Sequence, residues 1–189
     1  MLPDIKVPNT DDSTGEKMND MKKKNIILTG MPTSGKSTIG VIAAKILGMD
    51  FIDTDILIQQ REGKRLSEII EENGTDIFLK CEEEALLSLD VNNCVIATGG
   101  SAIYSDKAME HLKKDAFVVY LMVDKKELNR RLKDVKGRGV VLRDGESIDD
   151  MYETRVKLYE RYADLTISEE GLTLEDTVEK LIIGSGERS

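Results

Sequence analysis

The chain has 189 residues, the usual size of one compact domain, so a single folding unit is the first expectation. With 40% apolar and 33% charged residues, it is too apolar for a disordered protein and too charged for a bilayer. The net charge of −9 argues against nucleic acid as a partner, because a phosphate backbone attracts the opposite sign.

Targeting and cysteine features of the sequence favour the cytoplasm. No run of about eighteen apolar residues is present, and the N-terminus lacks the basic and apolar regions of a secretion signal. Cys81 and Cys94 do not form a CxxC pair, and His111 is the single histidine, which excludes a disulfide framework and a Cys/His zinc site. We expect a cytoplasmic monomer that acts on a small molecule, without membrane or nucleic-acid partners.

The order of elements along the chain predicts an α/β domain, residues 25–183, between two tails. Residues 1–24 are polar and aperiodic, which predicts a disordered N-terminal tail, and residues 184–189 predict a frayed C-terminus. Short apolar runs alternate with amphipathic stretches, which is typical of a parallel sheet covered by helices on both faces. A stretch rich in glycine and basic residues at about 134–147 predicts a mobile loop. The predicted strands are 25–29, 94–98, 116–123 and 165–167, and the predicted helices are 36–47, 76–89, 106–113, 125–133, 148–162 and 174–183.

A phosphate-binding loop follows the first predicted strand. The template GxxxxGK[ST] is met between a strand and a helix by Gly30, Met31, Pro32, Thr33, Ser34, Gly35, Lys36 and Ser37, with Thr38 next. The two glycines allow the turns that aim backbone N–H groups at an anion, where the helix dipole also favours negative charge. Lys36 is expected to reach the β- and γ-phosphates, and Ser37 to ligate Mg²⁺. A nucleoside triphosphate is the predicted ligand.

Two further segments predict an acceptor site at the same edge of the sheet. Asp53 and Asp55 are two residues apart after an apolar run, so both carboxylates lie on one side of an extended segment. Asp53 suits the Mg²⁺ shell and Asp55 suits a substrate hydroxyl, although both also suit the N-terminus of a helix over 56–61. Gly99 and Gly100 follow a second strand, where bare backbone admits a flat substrate ring or an ordinary left-handed turn.

Two arginines are candidates for binding charge. Arg138 lies in the predicted mobile loop, where it suits stabilisation of the transferring phosphoryl group or simple solvation. Arg155 lies within the helix 148–162 and suits either a bidentate contact to a substrate carboxylate or an intrahelical ion pair with Asp150 or Glu160.

The motifs described above occur in the same order as in the shikimate kinase family, which the chain resembles over about residues 25–183. The resemblance implies a three-layer α/β/α P-loop kinase fold with a central five-stranded parallel sheet, a lid, and a helical acceptor-binding region. It also implies transfer of the ATP γ-phosphoryl group to the 3-hydroxyl of shikimate. In this family the first aspartate of the Asp53-Thr54-Asp55 motif supports Mg²⁺ and the second holds the acceptor hydroxyls.

The resemblance also implies roles for three arginines. Arg138 takes the place of the lid arginine, and Arg155 that of the helix arginine that pairs with the shikimate carboxylate. Arg130 corresponds to the arginine that stacks near adenine.

The chain departs from the family pattern at three positions. Ser101 replaces the third glycine of a Gly-Gly-Gly motif, and Gly139 replaces the lid proline. The family motif Phe-Arg-x-x-Glu reads Phe78-Leu79-Lys80-Cys81-Glu82, so the second arginine on the carboxylate is missing. Lys80 is adjacent, but it points about 100° away on a helix.

These features predict a Mg²⁺- and ATP-dependent kinase for a small hydroxylated carboxylate, with shikimate as the first choice. Lys36, Ser37, Asp53 and Arg138 are expected to serve phosphoryl transfer, and Asp55, Gly99, Gly100 and Arg155 to hold the acceptor. The alternatives are another alcohol such as homoserine or threonine, a nucleoside monophosphate, or a regulator that binds nucleotide without turnover.

Overall fold

The computed structural model describes residues 25–134, 141–143 and 145–186. The predicted tail at 1–24, residues 187–189 and the lid positions Arg138 and Gly139 lie outside the described residues. A single sheet of five parallel strands has the order β2-β3-β1-β4-β5. The strands are β1 (Asn25–Gly30), β2 (Asp50–Asp53), β3 (Cys94–Ala97), β4 (Ala116–Met122) and β5 (Leu165–Ser168). The α/β prediction with a five-stranded parallel sheet is confirmed.

Eight α-helices and one short 3₁₀ turn, Ala102–Tyr104, accompany the sheet in the described part of the chain. The helices are α1 (Lys36–Leu47), α2 (Thr54–Glu62), α3 (Leu66–Asn73), α4 (Thr75–Leu87), α5 (Asp106–Lys113), α6 (Lys125–Asp134), α7 (Ile148–Tyr162) and α8 (Leu174–Gly186). The six predicted helices are all present. The sequence analysis did not predict α3.

The C-terminal helix continues further than predicted. We expected fraying from Gly184 onwards, but α8 extends to Gly186, so this expectation is wrong for residues 184–186. A β-carbon on Gly184 would lie only 2.5 Å from Leu165 Cδ2, which shows that the backbone of α8 packs directly on β5. Close packing on the sheet therefore holds this last turn.

The core lies on both faces of the sheet, as the unbroken apolar strands predict. Ile27 and Val118 point to one face, while Ile26, Leu28 and Val119 point to the other. This alternation follows from the two-residue period of a strand, and it explains why each strand is apolar at nearly every position. Within the described residues, no helix is both long enough and apolar enough to cross a membrane.

A third apolar cluster stands apart from the sheet. It joins α2, α3 and α4 through buried Ile58, Ile69 and Phe78, and Val141 closes it. These helices lie beside the carboxyl ends of β2, β3 and β1, which are neighbours in the sheet. Ligands of open parallel sheets bind at this edge, so the fold places a helical wall next to the phosphate-binding loop.

Candidate active site

A cavity of about 490 Å³ opens at the carboxyl ends of β1, β2 and β3. It brings together residues that the sequence predicted separately for nucleotide and for acceptor. Those that line it are Thr33, Gly35, Lys36, Ser37, Thr38, Asp53, Asp55, Gly100 and Arg155. Four separated parts of the sequence therefore line one cavity.

The phosphate-binding loop depends on backbone conformations that favour glycine. Gly30 has φ 150° and Gly35 has φ 76°. A β-carbon on Gly30 would also lie 2.6 Å from the carbonyl oxygen of Leu121. Thr33 adopts φ 67°, an uncommon value for a residue with a side chain, and such strain is typical of functional loops.

Lys36 is buried inside the loop that it follows. Its Nζ donates to the carbonyl oxygens of Gly30 and Met31, at 2.9 and 2.7 Å, and lies 3.3 Å from the Ser34 hydroxyl. Burial lowers the pKa of Lys36 to about 8, although the nearby Asp55 carboxylate opposes this shift. The ammonium group thus stands at the centre of the loop, where an anion would restore its preference for the charged form.

The Asp53-Thr54-Asp55 segment combines a helix cap with two carboxylates that line the cavity. Asp53 is the N-cap of α2, and its Oδ1 accepts a hydrogen bond from the Asp55 backbone N–H at 3.0 Å. Both carboxylates also line the cavity. Thr54 is buried, and its hydroxyl accepts from the Gly99 N–H at 3.0 Å, which ties the end of β2 to the end of β3. Capping and a role in the site are therefore compatible.

Gly99 and Gly100 are required for space. Neither has a positive φ, so the alternative of a left-handed turn is wrong. A β-carbon on Gly99 would overlap Glu82 Oε1 and approach Asp55 Oδ1 to 2.9 Å. On Gly100 it would lie 3.1 Å from Arg155 Nη1. The bare backbone thus lets charged groups converge from three different elements.

Arg155 is almost fully buried, with 1% of its surface exposed. Its Nε donates to the Tyr104 hydroxyl at 3.1 Å, and its Nη2 donates to the Val141 carbonyl. The Tyr104 ring also contacts a second guanidinium, because Arg143 Cζ lies 4.4 Å from its centroid. Arg155 faces the cavity and not its own helix, so the alternative of an intrahelical ion pair is wrong.

Tyr159 connects the two halves of the site, and the sequence analysis missed it. Its hydroxyl lies 2.9 Å from the Gly30 carbonyl and 2.7 Å from the Gly100 carbonyl. Tyr159 lies one helical turn after Arg155, and its ring stacks on Tyr120. The spacing of four residues was the available signal, since it places both side chains on one face of α7.

The buried carboxyl group of Glu82, which lines the cavity, accepts a hydrogen bond from a serine hydroxyl. The Ser101 hydroxyl donates to Glu82 Oε2 at 2.6 Å, while Glu82 Oε1 has no hydrogen-bond partner among the described residues. Burial raises the pKa of Glu82 to about 7, and the nearby Asp55 carboxylate adds to the rise. The replacement of the family's third glycine by Ser101 thus gives this carboxyl group a neutral partner.

On α6, Arg131 contacts the phosphate-binding loop, and the neighbouring predicted residue Arg130 pairs with Glu127. Arg130 Nε and Nη2 donate to the two carboxylate oxygens of Glu127 at 2.7 Å. Arg131 Nη1 donates to the Thr33 carbonyl at 3.0 Å and to Glu169 Oε2 at 2.9 Å. Arg131 therefore holds the strained Thr33 in place, and it lines a second cavity of about 290 Å³.

Comparisons with known proteins agree with this geometry. The sequence profile of the shikimate kinase family matches residues 32–183. The chain is therefore a member of the shikimate kinase family. A shikimate kinase of Thermodesulfovibrio yellowstonii is 38% identical over 162 residues, which cover 84% of this chain and 93% of that protein. A shikimate kinase of Clostridium botulinum is 41% identical over 142 residues, 73% of this chain and 84% of that one.

Solved structures of other shikimate kinases show the same P-loop kinase fold. The enzyme from Acinetobacter baumannii in complex with shikimate superposes with a TM-score of 0.76 at 29% identity, covering 86% of this chain and 94% of that one. The enzyme from Aquifex aeolicus gives a TM-score of 0.74 at 32% identity, covering 85% and 95%. As a member of this family, the chain is a phosphotransferase that uses ATP and has an alcohol as its acceptor.

Proposed function

We propose that this shikimate kinase family member transfers the γ-phosphoryl group of ATP to the 3-hydroxyl of shikimate. The observation that carries the proposal is the single cavity lined both by Lys36 of the phosphate-binding loop and by Asp55 and Arg155 of the acceptor side. A phosphoryl transfer needs donor and acceptor in line and in contact, which this shared chamber allows. The named relatives and the shikimate complex of the Acinetobacter baumannii enzyme support the choice of acceptor.

The loop side of the cavity is assigned to the triphosphate. Backbone N–H groups of the loop and the Lys36 ammonium offer donors to the phosphates at the N-terminus of α1. We assign the nucleobase of ATP to the second cavity, which Arg131 lines. The predicted residue Arg130 is the neighbour of Arg131 on α6. Phosphate contacts are assigned to Gly30, Thr33, Ser34, Gly35, Lys36, Ser37 and Thr38.

The donor set also fits a magnesium ion. The Ser37 hydroxyl and the Asp53 carboxylate line the same cavity, and both are hard oxygen ligands of the kind that Mg²⁺ prefers. Among the described residues, no group of three or more His, Cys, Asp or Glu side chains is arranged so that it could hold a metal ion. This matches an ion held by one or two protein oxygens and by substrate phosphates. When bound, the ion neutralises charge on the phosphates.

The acceptor side is assigned to the substrate hydroxyl and carboxylate. Asp55 orients the attacking hydroxyl and accepts its proton, while Arg155 pairs with the carboxylate. Gly99 and Gly100 let the ring approach the backbone. Lys36 and the lid residue Arg138 stabilise charge on the transferring group, so positioning and electrostatics supply most of the rate.

An ADP-release assay tests this function directly. Purified protein is assayed with ATP and Mg²⁺ against shikimate, quinate, homoserine, threonine, gluconate and nucleoside monophosphates. We expect a selective response to shikimate that requires Mg²⁺. If another alcohol is phosphorylated and shikimate is not, that alcohol is the acceptor instead. If the protein binds nucleotide but phosphorylates none of these compounds, a regulatory function is favoured.

A further inference from the structure

The acceptor site of this chain lacks one cation that the family motif supplies. Leu79 stands where the motif has arginine, and it packs into the apolar cluster of α2, α3 and α4 outside the cavity lining. The neighbouring Lys80 is exposed and does not line the cavity either. Neither residue can therefore supply a second contact to a substrate carboxylate.

Arg155 alone has few donors left for a carboxylate. Its Nε and Nη2 already donate to Tyr104 and Val141, which hold the guanidinium in place. Its Nη1 lies against Gly100, and the Tyr159 side chain also interacts with this guanidinium. A carboxylate has two oxygens and several acceptor sites, so contact with this one edge leaves it partly unsatisfied.

Arg65, at the N-terminus of α3, is the other arginine of the described residues that lines the cavity. Its backbone is fixed, because its N–H donates to Glu68 Oε2 at 2.8 Å and its carbonyl accepts from the Ile69 N–H at 3.0 Å. Its side chain is exposed and makes no hydrogen bond or ion pair with the described residues. Because its backbone is fixed and its guanidinium is exposed, Arg65 is suited to bind the anionic group of a substrate.

The charges around the cavity also call for a further cation. The Asp53 and Asp55 carboxylates line it beside the buried carboxyl group of Glu82, whereas Lys36 and Arg155 are the buried cations among the described lining residues. A substrate carboxylate adds another negative charge to this set. We propose that Arg65 supplies the second charge-assisted contact to the acceptor carboxylate, in place of the arginine that Leu79 has replaced. This inference rests on the proposed function.

Steady-state kinetics of Arg65→Ala test the proposal, with shikimate and its neutral methyl ester as acceptors. We expect the KM for shikimate to rise roughly tenfold to a hundredfold, because a hydrogen bond to a charged group is lost. The KM for ATP and the unfolding temperature stay at the wild-type values. With the methyl ester, wild type and variant have equal KM values, since no carboxylate is present to contact.

Two further variants separate a specific contact from a general effect of charge. Lys64→Ala removes the adjacent positive charge, which pairs with Glu72 outside the cavity, and leaves every KM unchanged. Arg65→Lys recovers part of the shikimate affinity, because an ammonium keeps the charge but lacks the planar fork.

The outcomes distinguish this inference from the function on which it rests. Wild-type activity on shikimate, together with an unchanged KM in Arg65→Ala, would overturn the role of Arg65 alone. An equal loss with shikimate and with the methyl ester would also overturn it. Wild-type silence on shikimate would overturn the proposed function and this inference together.

Discussion

The two sides of the cavity are built in different ways. On the nucleotide side, the part assigned to the phosphates is one continuous segment, from Gly30 to Thr38, which depends on its backbone conformation and on the buried Lys36. The acceptor side is assembled from residues of α2, α4, α7 and the segment after β3, which meet only in the folded chain. The comparison teaches that a backbone-built site leaves little room for change, whereas a side-chain-built site can be rewired, as Leu79 and Ser101 show.

Lys36→Ala should break the nucleotide side with the largest effect. Loss of the ammonium removes charge stabilisation from the transferring phosphoryl group, so we expect kcat to fall about a thousandfold. Stopped assays of product formation measure this fall. Lys45→Ala, which removes an exposed lysine of the same helix, is the control and should leave kcat unchanged. Near-normal turnover of a folded Lys36→Ala variant would refute the phosphate-binding assignment.

Gly99→Ala should break the acceptor side next. The new methyl group would overlap Glu82 Oε1 and crowd Asp55, so both carboxyl groups must move. Misplacement of a reacting group by about 1 Å can cost about a hundredfold, and we expect kcat/KM for shikimate to fall by that factor. The KM for ATP, measured in the same assays, should change far less.

Gly186→Ala is the matched control for that substitution, because a β-carbon there meets nothing within 4 Å. It should leave both kinetic constants unchanged. A Gly99→Ala variant with wild-type kcat/KM would show that Glu82 and Asp55 do not need their present positions.

Glu82→Gln should change how stability depends on pH. The pKa of Glu82 is raised from 4.5 to about 7 by burial, so between these values the folded state holds a proton that the unfolded state has lost. Stability from this group is therefore complete below pH 4.5 and falls as the pH rises to about 7, by on the order of 3 kcal/mol. The amide does not titrate and still accepts from Ser101.

Denaturant unfolding at pH 5 and pH 8 measures this difference between wild type and Glu82→Gln. We expect the wild type to lose more stability over that interval than the variant does. Glu84→Gln, at an exposed position of the same helix, should follow the wild type. Parallel behaviour of Glu82→Gln and wild type would show that Glu82 is ionised in the folded protein at both pH values.

Tyr159→Phe should have the smallest effect and should sharpen the comparison. Loss of the hydroxyl removes the link between Gly30 and Gly100, at a cost of about 1 kcal/mol in the free energy of unfolding. Because this link joins both sides, the KM values for ATP and for shikimate should rise together, each a few-fold. Tyr152→Phe removes a hydroxyl from the same helix, bound to Val123, and should change neither KM. A rise in only one KM would show that the sides are not coupled through Tyr159.

The sequence predicted the local parts of this structure well. The strand, loop and helix around Lys36 follow from a contiguous pattern, and the unbroken apolar strands indicated a sheet that is buried on both faces. Asp53, Asp55, Gly99 and Arg155 were predicted from short motifs, and all four lie at one edge of the sheet.

The remaining features depend on contacts between distant segments. Arg131 reaches Thr33 across about a hundred positions, and nothing in the local sequence separates it from Arg130. Burial raises the pKa of Glu82, and no sequence pattern indicates that this residue is buried. Arg65 lines the cavity only because the unpredicted α3 places it there. Long-range packing therefore decides which charged side chains reach the site.

Calorimetry with two ligands tests most directly whether one cavity holds nucleotide and acceptor side by side. Shikimate is titrated into protein saturated with magnesium and a non-hydrolysable ATP analogue, for wild type, Lys36→Ala and Arg155→Ala. We predict that wild type binds shikimate on top of the analogue, that Arg155→Ala loses shikimate but keeps the analogue, and that Lys36→Ala weakens the analogue alone. Competition between shikimate and the analogue, or equal losses of both ligands in the two variants, would contradict the account.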